Sequence, residues 1–305
     1  MATSQPKRFT TAAAFKASLE DRLKRAAADR GVPMNTLRLK FVMERLLARL
    51  FAVADPPWLL KGGYAMELRY RPRARTTRDL DLSVANPAMA ATLAARLTSI
   101  REELQAAAAV DPGDYLRYTI AAPLTELQGA PLGGARFPCE VTLAGKLYGR
   151  FHLDLGFGDA STGVPERLTG DSLLEFAGIP PAVVLAIPKA QQFAEKAHAY
   201  TYPWKDRINT RTKDLVDLVL FVQSGELSDV AELRAALAAT FGRRNTHALP
   251  DQFPPPPPAW ERDYATMAAE AQLSSVRLTD GFEQVSAFWR DSALGSPVRD
   301  PNADF

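Results

Sequence analysis

Asp79-Leu80-Asp81-Leu82-Ser83-Val84 alternates polar and apolar residues with a period of two, the pattern of a β-strand with one face in a core. Successive side chains of a strand point to opposite faces, so Asp79 and Asp81 share one face and Leu80 and Leu82 the other. Two carboxylates roughly 6–7 Å apart along one face, by strand rise, can converge on a hard divalent cation. Mg²⁺ prefers oxygen ligands and commonly takes one or two carboxylates plus substrate phosphates. An Asp-x-Asp in a strand is also a common solvated pair, and the flanking sequence decides between these readings.

Upstream, the apolar run Trp58-Leu59-Leu60 reaches Gly62-Gly63, and a helical stretch from Tyr64 to Arg69 follows. Glycines between a strand and a helix let backbone N–H groups approach a phosphate, and the helix N-terminus favours its charge. The plain alternative for Gly62 and Gly63 is a tight turn. Between this turn and the acidic strand, Arg69, Arg71, Arg73, Arg75 and Arg78 crowd a loop. Lys205, Arg207, Arg211 and Lys213 form a second basic cluster. Each cluster reads either as solvated surface or as a positive rim around a site that handles phosphates. On this loop Arg78 is a candidate nucleotide contact. The Thr77 hydroxyl, two residues before Asp79, either meets a phosphate or shapes the turn.

Downstream, His152-Leu153-Asp154-Leu155 repeats the alternating register. Asp154 is thus a candidate third carboxylate, which would complete a two-metal site for in-line displacement at phosphorus. Three converging carboxylates repel one another, and a bound cation removes that cost. His152 shares the strand face of Asp154, where it either touches the site or is a solvated or core-lining neighbour.

The wider pattern is α+β around a mixed sheet. Residues 10–54 carry two helical periodicities, Phe15-Leu19-Leu23-Ala26 and Leu39-Val42-Leu46-Leu47-Leu50, parted by Gly31-Val32-Pro33, with Asn35 or Thr36 as N-cap of the second. A helix is expected over 87–109, with Pro87 near its start. Strands are expected over 115–121, 136–144 and 147–157, with Gly145-Lys146 as a hairpin turn. Beyond Pro180-Pro181 the pattern turns helical, at about 188–200, 212–223, 226–241, 258–272 and 279–291. Pro254 to Pro258 reads as a stiff extended spacer. The expected division is N-terminal helices over 1–54, a catalytic α+β domain over 55–180 and a helical domain over 181–305.

The chain of 305 residues is 47% hydrophobic and 24% charged, enough to bury a core without disulfides. Its single cysteine, Cys139, allows no intrachain bridge and suits a reducing compartment. The N-terminus lacks the apolar core of a secretory signal, and no run approaches a membrane span. A cytoplasmic location is expected. The net charge of +2 is only mildly basic, so local clusters carry more information than the total.

Gly62-Gly63, the arginine loop and the acidic strand, taken in order, resemble a known family. Leu60-Lys61-Gly62-Gly63-Tyr64-Ala65-Met66-Glu67-Leu68-Arg69 followed by Arg75-Thr76-Thr77-Arg78-Asp79-Leu80-Asp81-Leu82 is similar to the AbiEii/AbiGii toxins. These MenT-like proteins are nucleotidyltransferases of the polymerase-β-like superfamily. Phe193-Ala194-Glu195-Lys196 looks like the family's Glu-Lys segment, which places its catalytic lysine on Lys196. Arg211-Thr212-Lys213-Asp214-Leu215-Val216-Asp217-Leu218 looks like its Arg-x-x-Asp-Leu-x-Asp-Leu helix, which places its helical acidic residue on Asp214. The resemblance spans about residues 58–223. Fifteen residues separate Gly63 from Asp79, a wider arginine loop than in compact superfamily members. Without the family, Lys196 reads as an exposed helix lysine paired with Glu195 or Glu175, and Lys213-Asp214 as a solvated face.

The resemblance implies a minimal polymerase-β-type domain that moves a nucleoside monophosphate from an NTP to an acceptor hydroxyl. Asp79, Asp81 and Asp154 would hold Mg²⁺ or Mn²⁺, Gly62 and Gly63 would cradle phosphates, and Lys196 with Asp214 would serve the triphosphate. It also implies a toxin with a cognate antitoxin and the 3′ end of tRNA as acceptor. Transfer to a protein or small molecule, a nucleotide-sugar site in a glycosyltransferase, and a non-catalytic nucleotide-binding interaction protein are the competing readings. No Walker or dinucleotide-binding glycine loop, zinc motif or serine-hydrolase elbow occurs, and His152, His198 and His247 are scattered.

Overall fold

A computed structural model describes residues 9–84, 92–127, 129–160, 162–204 and 209–295. Pro87, Lys205 and Arg207 lie outside the described residues. The chain divides into two compact units. The first comprises residues up to Leu68, Thr77–Gly158 and Glu166–Ala186, and the second comprises Arg69–Thr76, Asp159–Pro165 and the chain from Ile187.

Among the described residues, the first unit is built on an eight-stranded mixed sheet. Its strands are β1 (Leu59–Lys61), β2 (Asp79–Val84), β3 (Leu116–Ile120), β4 (Thr125–Glu126), β5 (Gly134–Leu143), β6 (Lys146–Phe157), β7 (Glu166–Thr169) and β8 (Val183–Ala186). Seven run in the order β3-β5-β6-β2-β1-β8-β7, and β4 pairs with β5 beside them. β2 lies parallel to β6, and β1 parallel to β8; the other pairings are antiparallel.

Register explains why the acidic strand sits where it does. Leu60 of β1 faces Leu82 of β2, which faces Leu155 of β6, which faces Ala135 of β5. All four are fully buried, as are Leu80, Leu153 and Phe137 in the row beside them. Shifting β2 by one residue would turn these leucines out and bury both aspartates, so the pleat fixes which face the carboxylates take.

Helices α1 (Ala12–Asp29) and α2 (Met34–Leu50) cover this apolar surface with Phe15, Leu19, Leu23, Leu46 and Leu47. Thr11 caps α1 by accepting from the Ala14 amide, whereas α2 starts at Pro33 without a side-chain cap, so neither Asn35 nor Thr36 serves there. Helix α3 (Gly62–Tyr70) follows β1 directly, and α4 (Leu93–Ala108) packs against β3 and α2. A buried ion cluster ties α2 to the start of β3. Asp114, wholly buried, accepts from Arg45 Nε at 2.8 Å and from Arg49 at 2.6 and 2.9 Å. Those guanidiniums outweigh burial and hold its carboxyl below the usual range.

Two details differ from expectation. The β5–β6 hairpin turns on Ala144 (φ 53°) and Gly145 (φ 71°), one residue earlier than Gly145-Lys146, because both central residues of such a turn need positive φ. The sheet also continues past residue 180, since β8 is hydrogen-bonded to β1. Its apolar run follows Pro180-Pro181, and prolines read more readily as a boundary than as the lead-in to a strand.

The second unit is helical: α5 (Lys189–Thr201), α6 (Thr212–Ser224), α7 (Val230–Arg244), α8 (Glu261–Glu270) and α9 (Leu278–Asp291). Phe193, Leu218, Phe221, Leu237, Val285 and Trp289 lie in its interior. The proline run is docked rather than a free spacer. Tyr200 donates to the Pro254 carbonyl at 2.8 Å and stacks on Phe253, with ring centroids 4.5 Å apart. No helix among the described residues is long and apolar enough to cross a membrane.

Candidate active site

The polar face of the sheet carries a row of charge across four neighbouring strands. Lys61 of β1 pairs in register with Asp81 of β2, Asp81 with Asp154 of β6, and Asp154 with Arg136 of β5. Two like charges directly opposite each other are unfavourable, and a cation flanks each of them. Asp79 is in register with His152, whose Nδ1 lies 3.6 Å from Asp79 Oδ1.

Arg136 is a residue that sequence reasoning missed. Its Nε and Nη2 donate to the two oxygens of Asp154, each at 2.7 Å, and Nη2 lies 3.7 Å from Asp79 Oδ2. The hydrogen-bonded Asp154 carboxylate, with the charges of Asp79 and Asp81 adding to it, holds the guanidinium more firmly protonated than an ordinary arginine. The only sequence signal was an arginine alternating with apolar residues in Ala135-Arg136-Phe137, which any half-exposed strand can show.

Gly62 opens α3 with φ 66°, a conformation that disfavours L side chains. A Cβ built there would lie 2.0 Å from Asp81 Oδ2. The glycine therefore makes room for a carboxylate as well as bending the chain. Gly63, next to it, is buried. The Thr77 hydroxyl donates to the Asp79 carbonyl at 3.4 Å and so shapes the entry to β2. Arg78 is exposed.

Among the described residues no three His, Cys, Asp or Glu side chains gather into a cluster that could hold a metal ion. Both oxygens of Asp154, the expected third carboxylate, accept hydrogen bonds from Arg136. The donor set nevertheless fits a hard cation. Asp79 and Asp81 offer oxygen ligands on one strand face, and the sheet already places one positive charge among these carboxylates.

The remaining motif residues lie in the second unit, and they are not a solvated face. Lys196 is buried, with Nζ 2.9 Å from Asp214 Oδ1 and 2.7 Å from Asp217 Oδ2. Arg75 donates to both oxygens of Asp217 at 3.0 and 2.9 Å. Burial alone would drive the Lys196 amine toward neutrality, but the Asp214 and Asp217 carboxylates outweigh it and raise its pKa well above the ordinary lysine value. Burial would likewise raise Asp217, yet Arg75 and Lys196 hold it lowered. Asp214 Oδ2 accepts no hydrogen bond among the described residues and has the Arg211 guanidinium 3.6 Å away.

The arginine loop is more structural than a positive rim requires. Arg69 donates to Gln192 and the Ile187 carbonyl, Arg73 to Gln223 at 3.3 Å, and Arg75 to Asp217. Arg71 and Arg78 are exposed. A cavity of about 570 Å³ in the second unit, lined by Phe241, Asn245, Thr246 and His247 among others, contains none of the motif residues.

The profile of the nucleotidyl transferase AbiEii toxin family, of type IV TA systems, matches residues 45–286. The chain is similar in fold to MenT4, a nucleotidyltransferase toxin from Mycobacterium tuberculosis H37Rv, at 16% identity and TM-score 0.53, covering 90% of this chain and 97% of that one. JHP933 from Helicobacter pylori aligns at 13% identity with TM-score 0.43, covering 85% of this chain and 91% of that one. No curated protein sequence matches the chain. With the family profile spanning most of its length, from within α2 to within α9, the chain belongs to the AbiEii nucleotidyltransferase toxin family.

Proposed function

We propose that the polar sheet face around Asp79 and Asp81 is the reaction centre of a Mg²⁺- or Mn²⁺-dependent nucleotidyltransferase. The observation that carries this reading is the row Lys61–Asp81–Asp154–Arg136 beside Asp79, at the N-terminus of α3. In the reaction, an acceptor hydroxyl oxygen bonds to the α-phosphorus of an NTP and the bond to the pyrophosphate oxygen breaks. The hydroxyl proton passes to a carboxylate.

Asp79 and Asp81 would hold the divalent cation, which when bound supplies positive charge to the phosphate oxygens. Asp154 is the candidate acceptor of the hydroxyl proton, once its oxygens are released by Arg136. Gly62 and Gly63 bring backbone N–H groups to the start of α3, where the helix N-terminus favours phosphate charge. Thr77 and Arg78 flank the acidic strand and are assigned to the nucleotide. Lys196 and Asp214 are assigned to the triphosphate by the family motif. This assignment is supported by the protonated Lys196 amine, whose Nζ lies 2.9 Å from Asp214 Oδ1 and 2.7 Å from Asp217 Oδ2.

We further propose the 3′ end of tRNA as the acceptor, a toxin role opposed by a cognate antitoxin, and a cytoplasmic location. Family membership supports the toxin role, and the acceptor is tested directly. Wild-type protein and an Asp79→Ala/Asp81→Ala variant are incubated with purified tRNA, total protein extract and each labelled NTP. Label on tRNA with wild type alone is the expected result. Label on protein with unlabelled tRNA would replace the acceptor, and no pyrophosphate release with any NTP would overturn the enzymatic reading.

A further inference from the structure

The first unit holds one charge arrangement that the proposed chemistry does not itself require. Three carboxylates on one face need a cation, and the fold supplies its own. Arg136 stands on β5, directly across from Asp154, and grips it with two short parallel hydrogen bonds, the strongest geometry available to a guanidinium. The same Nη2 leans toward Asp79. With Lys61 on the other flank, two cations stand among the three carboxylates Asp79, Asp81 and Asp154, which leaves the face with one net negative charge without any metal. A divalent cation on this face comes close to Arg136, and both Asp154 oxygens already accept from that guanidinium, which weakens them as ligands for the metal.

We propose that Arg136 is a resident counter-cation that competes with the metal for Asp154, so that metal and nucleotide bind this face cooperatively. Metal alone meets only Asp79 and Asp81. An incoming triphosphate presents an alternative anionic partner for the guanidinium, which leaves Asp154 and frees it for the metal or for the acceptor proton. Arg136 is in this sense a positioning residue: it sets when the third carboxylate becomes usable. Its side chain is 36% exposed, so it can turn outward without unpacking the core. This inference rests on the reading of the face as a cation site.

The test is Mn²⁺ binding followed by electron paramagnetic resonance, with no nucleotide present, on wild type, Arg136→Gln, Arg136→Lys and Arg136→Gln/Asp154→Asn. Circular dichroism on each variant confirms folding. Arg136→Gln should bind Mn²⁺ at least about 10-fold more tightly than wild type. Arg136→Lys, which keeps the charge but loses the fork, should fall between them. The gain should vanish in the double variant. Adding an NTP should tighten Mn²⁺ binding to wild type far more than to Arg136→Gln. Wild-type Mn²⁺ affinity that is unchanged or weakened in folded Arg136→Gln overturns the competition while leaving the cation site intact. Absence of Mn²⁺ binding to every variant, with and without NTP, overturns both the competition and the reading beneath it.

Discussion

The carboxylate of Asp81 occupies the space that a side chain at residue 62 would need, with Oδ2 2.0 Å from where a Cβ on Gly62 would sit. A turn residue and a strand residue nineteen positions apart are thereby coupled, and neither can change without the other. This close approach ties the polar sheet face to the start of α3.

Replacing Gly62 by alanine tests that coupling. Alanine at φ 66° carries a backbone cost of roughly 1–2 kcal/mol, and its Cβ would also push Asp81 aside. Gly145 is the control, because it has φ 71° and nothing within 4 Å of a built Cβ. Gly145→Ala should lose the same roughly 1–2 kcal/mol of backbone cost in chemical denaturation and keep nucleotidyl transfer. Gly62→Ala should lose more stability and at least about ten-fold in transfer rate. Equal behaviour of the two variants would show that Asp81 has no catalytic need of its place against the turn.

The buried group Lys196–Asp217–Arg75 makes a second prediction, about stability. Asp217→Asn leaves Arg75 and Lys196 buried with a weaker partner, and Asp217→Ala should cost about 3–5 kcal/mol, as breaking buried ion pairs does. The pH dependence follows from the signs. Asp217 is lowered by Arg75 and Lys196, so its contribution is complete above the ordinary value of 3.8 and is lost as pH falls through its folded pKa. Lys196 is raised by its carboxylates, so its contribution is complete below the ordinary 10.5 and is lost only at higher, strongly alkaline pH. Melting temperature against pH should therefore fall at both extremes in wild type, with a flatter acid limb in Asp217→Asn. An identical acid limb in both proteins would remove Asp217 from the account.

How much of this was legible beforehand depends on which physical signal carried it. The strand Asp79–Val84 and its two faces were readable because alternation in a half-buried strand is enforced by the pleat. Helices α6 and α9 were readable to within a residue or two, whereas α7 begins at Val230 instead of 226 and α4 at Leu93 instead of 87. Arg136 was not readable, because its meaning lies in strand register: only when β5 is laid against β6 does it face Asp154. Lys196 stood out in the sequence only through its motif, and its neighbours Glu195 and Glu175 suggested a surface pair. The fold instead buries it between Asp214 and Asp217 on a different helix, and Glu195 lies 3.5 Å from Arg244. The arginine loop shows the converse failure. Clustering suggested one shared role, yet Arg69, Arg73 and Arg75 are individually tethered.

His198 supplies a third prediction. It is buried beside Phe241 and His247, with Nε2 2.9 Å from the Thr246 hydroxyl. Burial, with Arg244 and His247 nearby, pushes its pKa down from 6.5 to about 3. The folded protein holds the ring neutral, so below pH 6.5 the unfolded chain takes up a proton that the folded one refuses. His198 thus favours folding fully above that pH, and its contribution declines between 6.5 and about 3, by roughly 1.4 kcal/mol per pH unit. Burial lowers His247 as well, which adds in the same direction. Urea denaturation of His198→Gln across this range should show a shallower slope than wild type. Parallel slopes would mean the ring is already protonated in the fold.

The most direct measurement is equilibrium binding of each NTP with Mn²⁺, followed by water-proton relaxation, to wild type and to Asp79→Asn and Asp81→Asn. These substitutions keep side-chain shape on a half-exposed strand face while removing the charge. Formation of a ternary Mn²⁺–NTP complex by wild type with at least one nucleotide, weakened about 100-fold in each folded variant, is the predicted result. Wild-type affinity retained in both variants would mean that the triphosphate and its cation bind somewhere other than the face of Asp79 and Asp81.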